Sequence, residues 1–434
     1  MSHISGEIAL QPEKRFSRVS TSMRKQPFHP PSSNLGAVAP LFAVQFLSGV
    51  WTLTQMSFFP IYLEEVLRLT PLVLAAVIAS GQAAGMIAAL WGGGLSDVLG
   101  SKRVLVTGLA GGVLASFVFQ SEWPLLVVPL WMLGGAMGSL HTLGGSSYLT
   151  RAADPQRLGL LSALFALCMT AGGALGSPLA GWLLDTAGFR LYGLVGTALV
   201  LITLAATLPL LPALAPERNA TPQLGGGMLG MARRPAVQML IGLRFLPTIY
   251  YGMSGMLIPL MINQLAGNKT TVALYGTASL IIASAAQLLA GRAADRFGHR
   301  WPPLIGYGTL IVACLGLALF ADHLWGVIAF GILGAAAAWS LASLLFTLLS
   351  DGVPRAEHGR AFGLLHATWS VAMIGGALLG GALTRLSPGL PFIVAGLLNI
   401  GSIVLVLAFF AHIGRDGGAG SVLEPALQPA VSPD

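Results

Sequence analysis

The chain has 434 residues, 55% hydrophobic and only 9% charged, with a formal net charge of +7 and a mean hydropathy of +0.77. Soluble domains carry roughly 25% charged residues, and a single core could not hide this much apolar surface, so the composition excludes an ordinary soluble protein and points to a polytopic membrane protein. The Lys and Arg are scattered among short loops rather than gathered in a patch; this sets nucleic acid aside and suits retention of positive charge on the cytoplasmic side of a bilayer.

Residues 1–35 are polar and basic, with Lys14, Arg15, Arg18, Arg24 and Lys25. No short apolar region of the signal-peptide kind precedes the first long span, so this stretch reads as a solvated cytoplasmic tail. A helical span needs about 20 mostly apolar residues. Twelve such runs follow in order, at 36–63, 71–95, 102–121, 124–149, 158–183, 189–212, 236–264, 271–291, 302–320, 324–350, 360–384 and 389–412. The connections are short except for 213–235, which is rich in Gly, Pro and charge and reads as a cytoplasmic linker. The expected organisation is therefore a six-helix bundle over 36–212, the linker, a second six-helix bundle over 236–412 and a cytoplasmic tail over 413–434. The two cysteines, Cys168 and Cys314, sit inside apolar runs and suggest neither a disulfide framework nor a metal site.

With both termini cytoplasmic, only Arg68, Arg190, Lys269 and Arg385 of the 23 Lys and Arg fall in outer loops, and Arg244 alone falls inside a span. That asymmetry predicts this orientation. The two halves also resemble each other. Gln45-Phe46-Leu47 aligns with Arg244-Phe245-Leu246, and Pro60 aligns with Pro259, at one common spacing. Two six-span halves in the same orientation are a recurrent plan of secondary transporters.

One charged hinge occurs twice. The stretch from Gly92 reads GGGLSDVLGSKR, and AGRAADRFGHR follows from Ala290. Gly93, Asp97 and Gly100 recur as Gly291, Asp295 and Gly298, followed by Lys102-Arg103 and by His299-Arg300, each set in the cytoplasmic turn between the second and third span of its half. Glycine allows tight turns and close helix approach, a carboxylate at the membrane edge can pair with a base or cap a helix, and the bases hold the turn outside the bilayer. Together they make a latch that can form and break between two arrangements. This motif resembles the signature of the major facilitator superfamily, G-x-L-x-D-x-x-G-x-K/R-K/R. The resemblance covers about residues 36–412. It implies an all-α membrane fold of 12 transmembrane helices in two pseudo-symmetric bundles, and rocker-switch alternating access. Many exporters of that superfamily also carry a glycine- and proline-rich pattern in the fifth span. Gly173, Pro178 and Gly181 fit it, whereas Leu164, Ser177 and Trp182 stand where it has glycine. Small-residue helix packing is the alternative reading of these positions, and the partial match leans toward export.

Polar residues inside spans tend to face a cavity. Gln45, Ser48, Thr52 and Gln55 fall on one stripe of the first span, and Arg244, Thr248 and Tyr251 on one stripe of the seventh. Ser254 continues the seventh span, the fourth carries His141, and the tenth carries Trp339 and Ser343. In the family resembled, the first, fourth, seventh and tenth spans line the central path, which makes these residues its candidates. Gln45, His141 and Arg244 each lie roughly 12–14 Å from the cytoplasmic edge at 1.5 Å rise per residue. Arg244 cannot be neutralised. Three roles fit it: binding an anionic group of a substrate, pairing with a structural partner such as Tyr251, or snorkelling to the cytoplasmic edge. His141 fits a titrating group or a buried neutral histidine, and His366 is expected to be structural. All 16 Asp and Glu lie in tails, loops or span ends. A cavity with Arg244 and no mid-span acid suits anions and neutral amphiphiles better than permanent cations.

The leading expectation is a monomeric secondary transporter of the cell membrane that exports a small organic solute, a proton antiporter, with no cofactor and no metal. An importer or facilitator of an organic anion is the alternative within the class. A transport-inactive sensor or assembly protein is the alternative outside it. No nucleophile constellation or ligand cluster suggests an enzyme.

Overall fold

The computed structural model describes residues 35–154, 157–214, 228–354 and 357–420. Every regular element among them is helical. In chain order they are α1 (Leu35–Glu65), α2 (Pro71–Leu99), α3 (Ser101–Ser116, ending in a short 3₁₀ turn), α4 (Pro124–Ala152), α5 (Leu158–Leu210), the short α6 (Met228–Ala232), α7 (Pro235–Ala266), α8 (Lys269–Phe297), α9 (Trp301–Leu319), α10 (Leu324–Gly352), α11 (His358–Leu383) and α12 (Leu390–Gly420). Among the described residues, 10 helices are long and apolar enough to cross a membrane. One of these, α5, has 53 residues and would run about 80 Å, well beyond a hydrocarbon core of about 30 Å. It breaks at Gly188, where φ is 75°, so its two arms are the predicted fifth and sixth spans joined by a kink rather than a loop. With α1, which has 31 residues and no charge before Glu64, all twelve predicted spans have a helical counterpart. At its far end α12 continues to Gly420, past the predicted boundary at 412.

Local chemistry explains where the helices start. α2, α4, α7 and α9 each carry proline in the first turn, where the missing N–H is harmless and the fixed φ suits the helix. α8 starts at Asn268, whose side chain accepts a hydrogen bond from the Thr271 N–H, an N-cap of the usual kind.

The repeated hinge has a matching backbone in its two copies. α2 ends at Gly100, with φ 89° and ψ 142°, and α8 ends at Gly298, with φ 81° and ψ 170°. This region is accessible essentially to glycine alone, and another residue there costs about 1–3 kcal/mol. A Cβ on Gly298 would meet nothing within 4 Å, so Gly298→Ala should lower thermal stability through backbone strain alone. A melting curve of the detergent-purified protein matching wild type would show that the hinge does not need this conformation.

Within each half, helices meet through glycine. In the first, Gly49 of α1 lies against the Met169 backbone of α5, and Gly172 of α5 lies against Phe46 of α1. In the second, Gly252 of α7 lies against Met373 of α11, and Gly376 of α11 against Ile249 of α7. One large apolar core takes in Phe58, Tyr62, Leu74 and Ala75 of the first half and most buried residues of the second. A separate cluster of the first half, around Val38, Leu105, Tyr148 and Phe165, lies near the start of α1. The halves therefore share a core toward the end of α1 and α7, while near the start of α1 the first half has a core of its own.

Candidate functional site

A cavity of about 280 Å³ opens among α7, α8, α10 and α11. On α7, the predicted stripe supplies Arg244, Thr248 and Tyr251. α8 adds Gln287, α10 adds Trp339, and α11 adds His366 and Trp369. A second cavity of about 140 Å³ shares Arg244, Gln287 and His366 with the first and runs on to Phe346 and Phe362, whose rings stack at 5.3 Å. Three polar side chains thus stand at the junction of two apolar chambers. The Thr248 hydroxyl is used locally, donating to the Arg244 carbonyl at 2.6 Å. Tyr251 and Tyr307 lie near the Arg244 guanidinium, and the Tyr307 hydroxyl donates to the Leu243 carbonyl at 2.9 Å. Ion pairs join Arg234 to Glu357, Lys269 to Glu65 and His299 to Asp351. None reaches Arg244.

The other residues expected along the path fall elsewhere. Gln45 is buried against α5, its amide Nε2 3.3 Å from the Met169 Sδ. The reason is its register: Gly49, one turn along, is the point where α1 packs on Met169, so Gln45 shares the face turned to α5. Thr52 and Gln55 are half-buried on α1, outside the cavity lining. Both ring nitrogens of His141 are buried without a hydrogen-bond partner. Ser254 is buried and donates to the Tyr251 carbonyl, while the half-buried Ser343 donates to the Ser340 carbonyl. Gln287 and Trp369 escaped the sequence reading. His366, expected as structural, stands exposed at the cavity rim with its ring stacked on Trp369 at 5.5 Å. The available signal was the i, i+3 spacing of His366 and Trp369 and the lone amide of Gln287 in an apolar run.

The hinge residues divide in the same way. The surroundings of Gly93 and the side chain of Asp97 lie outside what the structure describes. Lys102 donates from Nζ to the Leu208 carbonyl at 2.8 Å, closing the exposed end of α5, and Arg103 is exposed. In the second copy Asp295 is exposed and Gly291 faces open space. The contact there runs instead from His299 Nδ1 to Asp351 Oδ2, 2.7 Å apart, at the end of α10. Arg300 lies over the Trp301 ring at 5.9 Å. Beside this hinge Arg234, before α7, pairs with Glu357, and the hydrogen bond from Arg234 holds the Glu357 carboxyl below the usual carboxylate range.

At the end where α1 and α7 finish, the halves are tied together. Asn263 donates to Glu65 at 2.8 Å, Gln264 donates to Glu64 at 2.6 Å, and Lys269 lies 2.9 Å from the Glu65 carboxylate. Asp185 of α5 accepts from the Lys269 and Thr270 backbone N–H groups at 2.7 and 2.8 Å, capping α8 from the opposite half. The fifth-span motif takes part. Gly173 lies against Leu53 of α1, Pro178 sits inside α5, and Gly181 lies against Ala273, Lys269 and Thr270 of α8. Thr277 of α8 donates to the Ala174 carbonyl at 2.9 Å. At the opposite end Leu95, Val98, Leu99, Phe346 and Phe362 are exposed. Among the described residues no three His, Cys, Asp or Glu come together as metal ligands.

The comparisons with known proteins agree with this architecture. The family model described as Major Facilitator Superfamily matches residues 41–257 and 240–431. The multidrug resistance protein MdtH of Klebsiella pneumoniae (strain 342) is 26% identical over 77% of this chain and 84% of its own. The class C tetracycline resistance protein of Escherichia coli is 30% identical over 39% of this chain and 43% of its own. Among solved structures, the nucleoside transporter NupG superposes with a TM-score of 0.70 at 17% identity, over 86% of this chain and 99% of its own. A POT family transporter bound to 5-aminolevulinic acid reaches 0.71 at 12% identity, over 87% and 96%.

Proposed function

The chain belongs to the Major Facilitator Superfamily, and we propose that it is a proton-coupled exporter that carries a small organic solute out of the cell by rocker-switch alternating access. The observation that carries this reading is the asymmetry of closure. The halves are interlocked through Glu64, Glu65 and Asp185 at the end where α1 and α7 finish, while the two chambers around Arg244 lie toward the other end, reaching Leu349 at the end of α10 and Phe362 at the start of α11. With both termini in the cytoplasm, the interlocked end is the outer one, and a solute enters from inside. The relatives named for multidrug and tetracycline resistance support the outward direction. The sequence puts no carboxylate in mid-span, so the coupling protons are assigned to the interlock carboxylates Glu64 and Glu65, which must let go of Asn263, Gln264 and Lys269 before the outer end can part. His141 is the remaining titratable candidate inside the first half. The two hinges, around Asp97 with Lys102 and around His299 with Asp351, serve as latches for the opposite, inner closure. The protein acts as a monomer in the cell membrane, without a cofactor and without catalysing a chemical reaction.

The test uses proteoliposomes sorted by orientation and an imposed pH gradient. Labelled aromatic acids and neutral amphiphiles should move from the cytoplasmic face to the outer face, faster with protons flowing the other way. Movement only in the inward direction would overturn export. Movement indifferent to the gradient would overturn proton coupling.

A further inference from the structure

We propose that the cavity among α7, α8, α10 and α11 binds a small aromatic anion, its charged group held by Arg244 and Gln287 and its ring by Trp339 and Trp369. The argument starts from the charge. Arg244 lines both chambers, and among the described residues it has no ion pair and no side-chain hydrogen bond. A guanidinium inside a bilayer needs a counter-charge or water. The α7, α8, α10 and α11 walls of the cavity contain no Asp or Glu, so the protein does not provide that counter-charge and a ligand can. Gln287 lines both chambers with Arg244, and its amide offers two further donors. A carboxylate or sulfonate between them would accept charge-assisted hydrogen bonds, which are roughly twice as strong as neutral ones.

The walls select the rest of the molecule. Trp339 and Trp369 come from different helices, and Trp369 is braced by its stack on His366. Flat, rigid indoles present ring faces with little conformational freedom to lose, which favours a planar aromatic body over a flexible aliphatic chain. The second chamber meets the first at the polar junction and ends at the stacked Phe346 and Phe362, on the side away from the Glu64 and Glu65 interlock. A cation gains only the faces of the two indoles and the Gln287 carbonyl and meets the like charge of Arg244, with no carboxylate in the walls to offset it.

The proposal needs the transporter reading above only for a solute to reach the cavity. It is tested by equilibrium binding to the full-length protein in nanodiscs, with protein-free nanodiscs to subtract lipid partitioning. Three probes share one ring system: 2-naphthoate, 2-naphthamide and 2-naphthylmethylammonium. Naphthoate should bind saturably, the amide at least about tenfold more weakly, and the ammonium most weakly of all. Arg244→Lys should keep this order, and Arg244→Gln should close the gap between acid and amide. Equal binding of the three, a preference for the ammonium, no saturable binding, or an unchanged order in Arg244→Gln would each overturn the anion site. The wild-type series decides the matter even if Arg244→Gln fails to fold. Saturable naphthoate binding with only inward transport would sink export and leave the site standing. Outward transport of the ammonium alone would do the reverse.

Discussion

A Gly181→Leu protein should reach the membrane folded and transport at about a tenth of the wild-type rate or less. Gly181 is where the first arm of α5 meets α8 of the opposite half. A Cβ there would lie 2.6 Å from the Ala273 Cβ, 2.9 Å from the Lys269 carbonyl oxygen and 2.9 Å from the Thr270 Cα. Two of these are backbone atoms in the capped first turn of α8, held from both sides by Asn268 and Asp185, so they cannot swing aside as a flexible side chain would. Overpacking of this kind costs about 1–3 kcal/mol. The cost falls only on the arrangement in which α5 and α8 touch. Once the halves part at this end, the new side chain points into open space. A bias of 1–3 kcal/mol is roughly a 5- to 150-fold shift between two states, enough to hold a rocking transporter on one side of its cycle. Alkylation of a cysteine at Ser57, which lies 3.9 Å from where a Gly276 Cβ would sit, reports that opening once Cys168 and Cys314 are replaced. The cysteine should react faster when Leu occupies position 181. Transport and alkylation both at wild-type levels would mean that this contact is not part of the cycle.

The fold was legible because its signals are long and repeated. Twelve apolar runs, a Gly/Pro-rich linker and a duplicated hinge need no knowledge of partners, and the kink at Gly188 changes a connection without moving a span. The site was legible only where one residue broke a strong rule. Arg244 is a lone charge inside an apolar run, and its i+4 and i+7 neighbours Thr248 and Tyr251 share its cavity. Gln45, on a comparable stripe of α1, turns instead to Met169, because a polar stripe marks a face without saying which neighbour covers it. There the packing glycines Gly49 and Gly172 decide, and their partners are set by tertiary contact. Gln287 and Trp369 were missed because a lone amide and a lone indole are ordinary in any span; only the meeting of α8, α10 and α11 makes them walls. In the second hinge the motif pointed to Asp295, but the contact formed is His299 with Asp351, whose partner lies at the end of a helix that the motif does not include.

The same substitution at Gly252 should have the opposite character: Gly252→Leu should yield little or no folded protein. Gly252 packs α7 on α11, and a Cβ there would lie 2.5 Å from the Met373 carbonyl oxygen, 3.2 Å from the Ala377 N and 3.2 Å from the Gly376 Cα. All three are backbone atoms of a helix in the same half. No rocking of one half against the other can relieve the clash, so the penalty of about 3 kcal/mol or more falls on every state of the protein rather than on one side of the cycle. That removes a large part of a net stability near the lower end of roughly 5–15 kcal/mol, and the separation of α7 from α11 would also dismantle the cavity that holds Arg244. Size-exclusion profiles and melting curves of the two leucine variants, purified side by side, separate the cases. A folded, slow Gly181→Leu beside an aggregated Gly252→Leu is the pattern of a moving interface set against a static one. If both variants fail to fold, the α5–α8 contact belongs to a fixed core, and alternating access must open the molecule somewhere else.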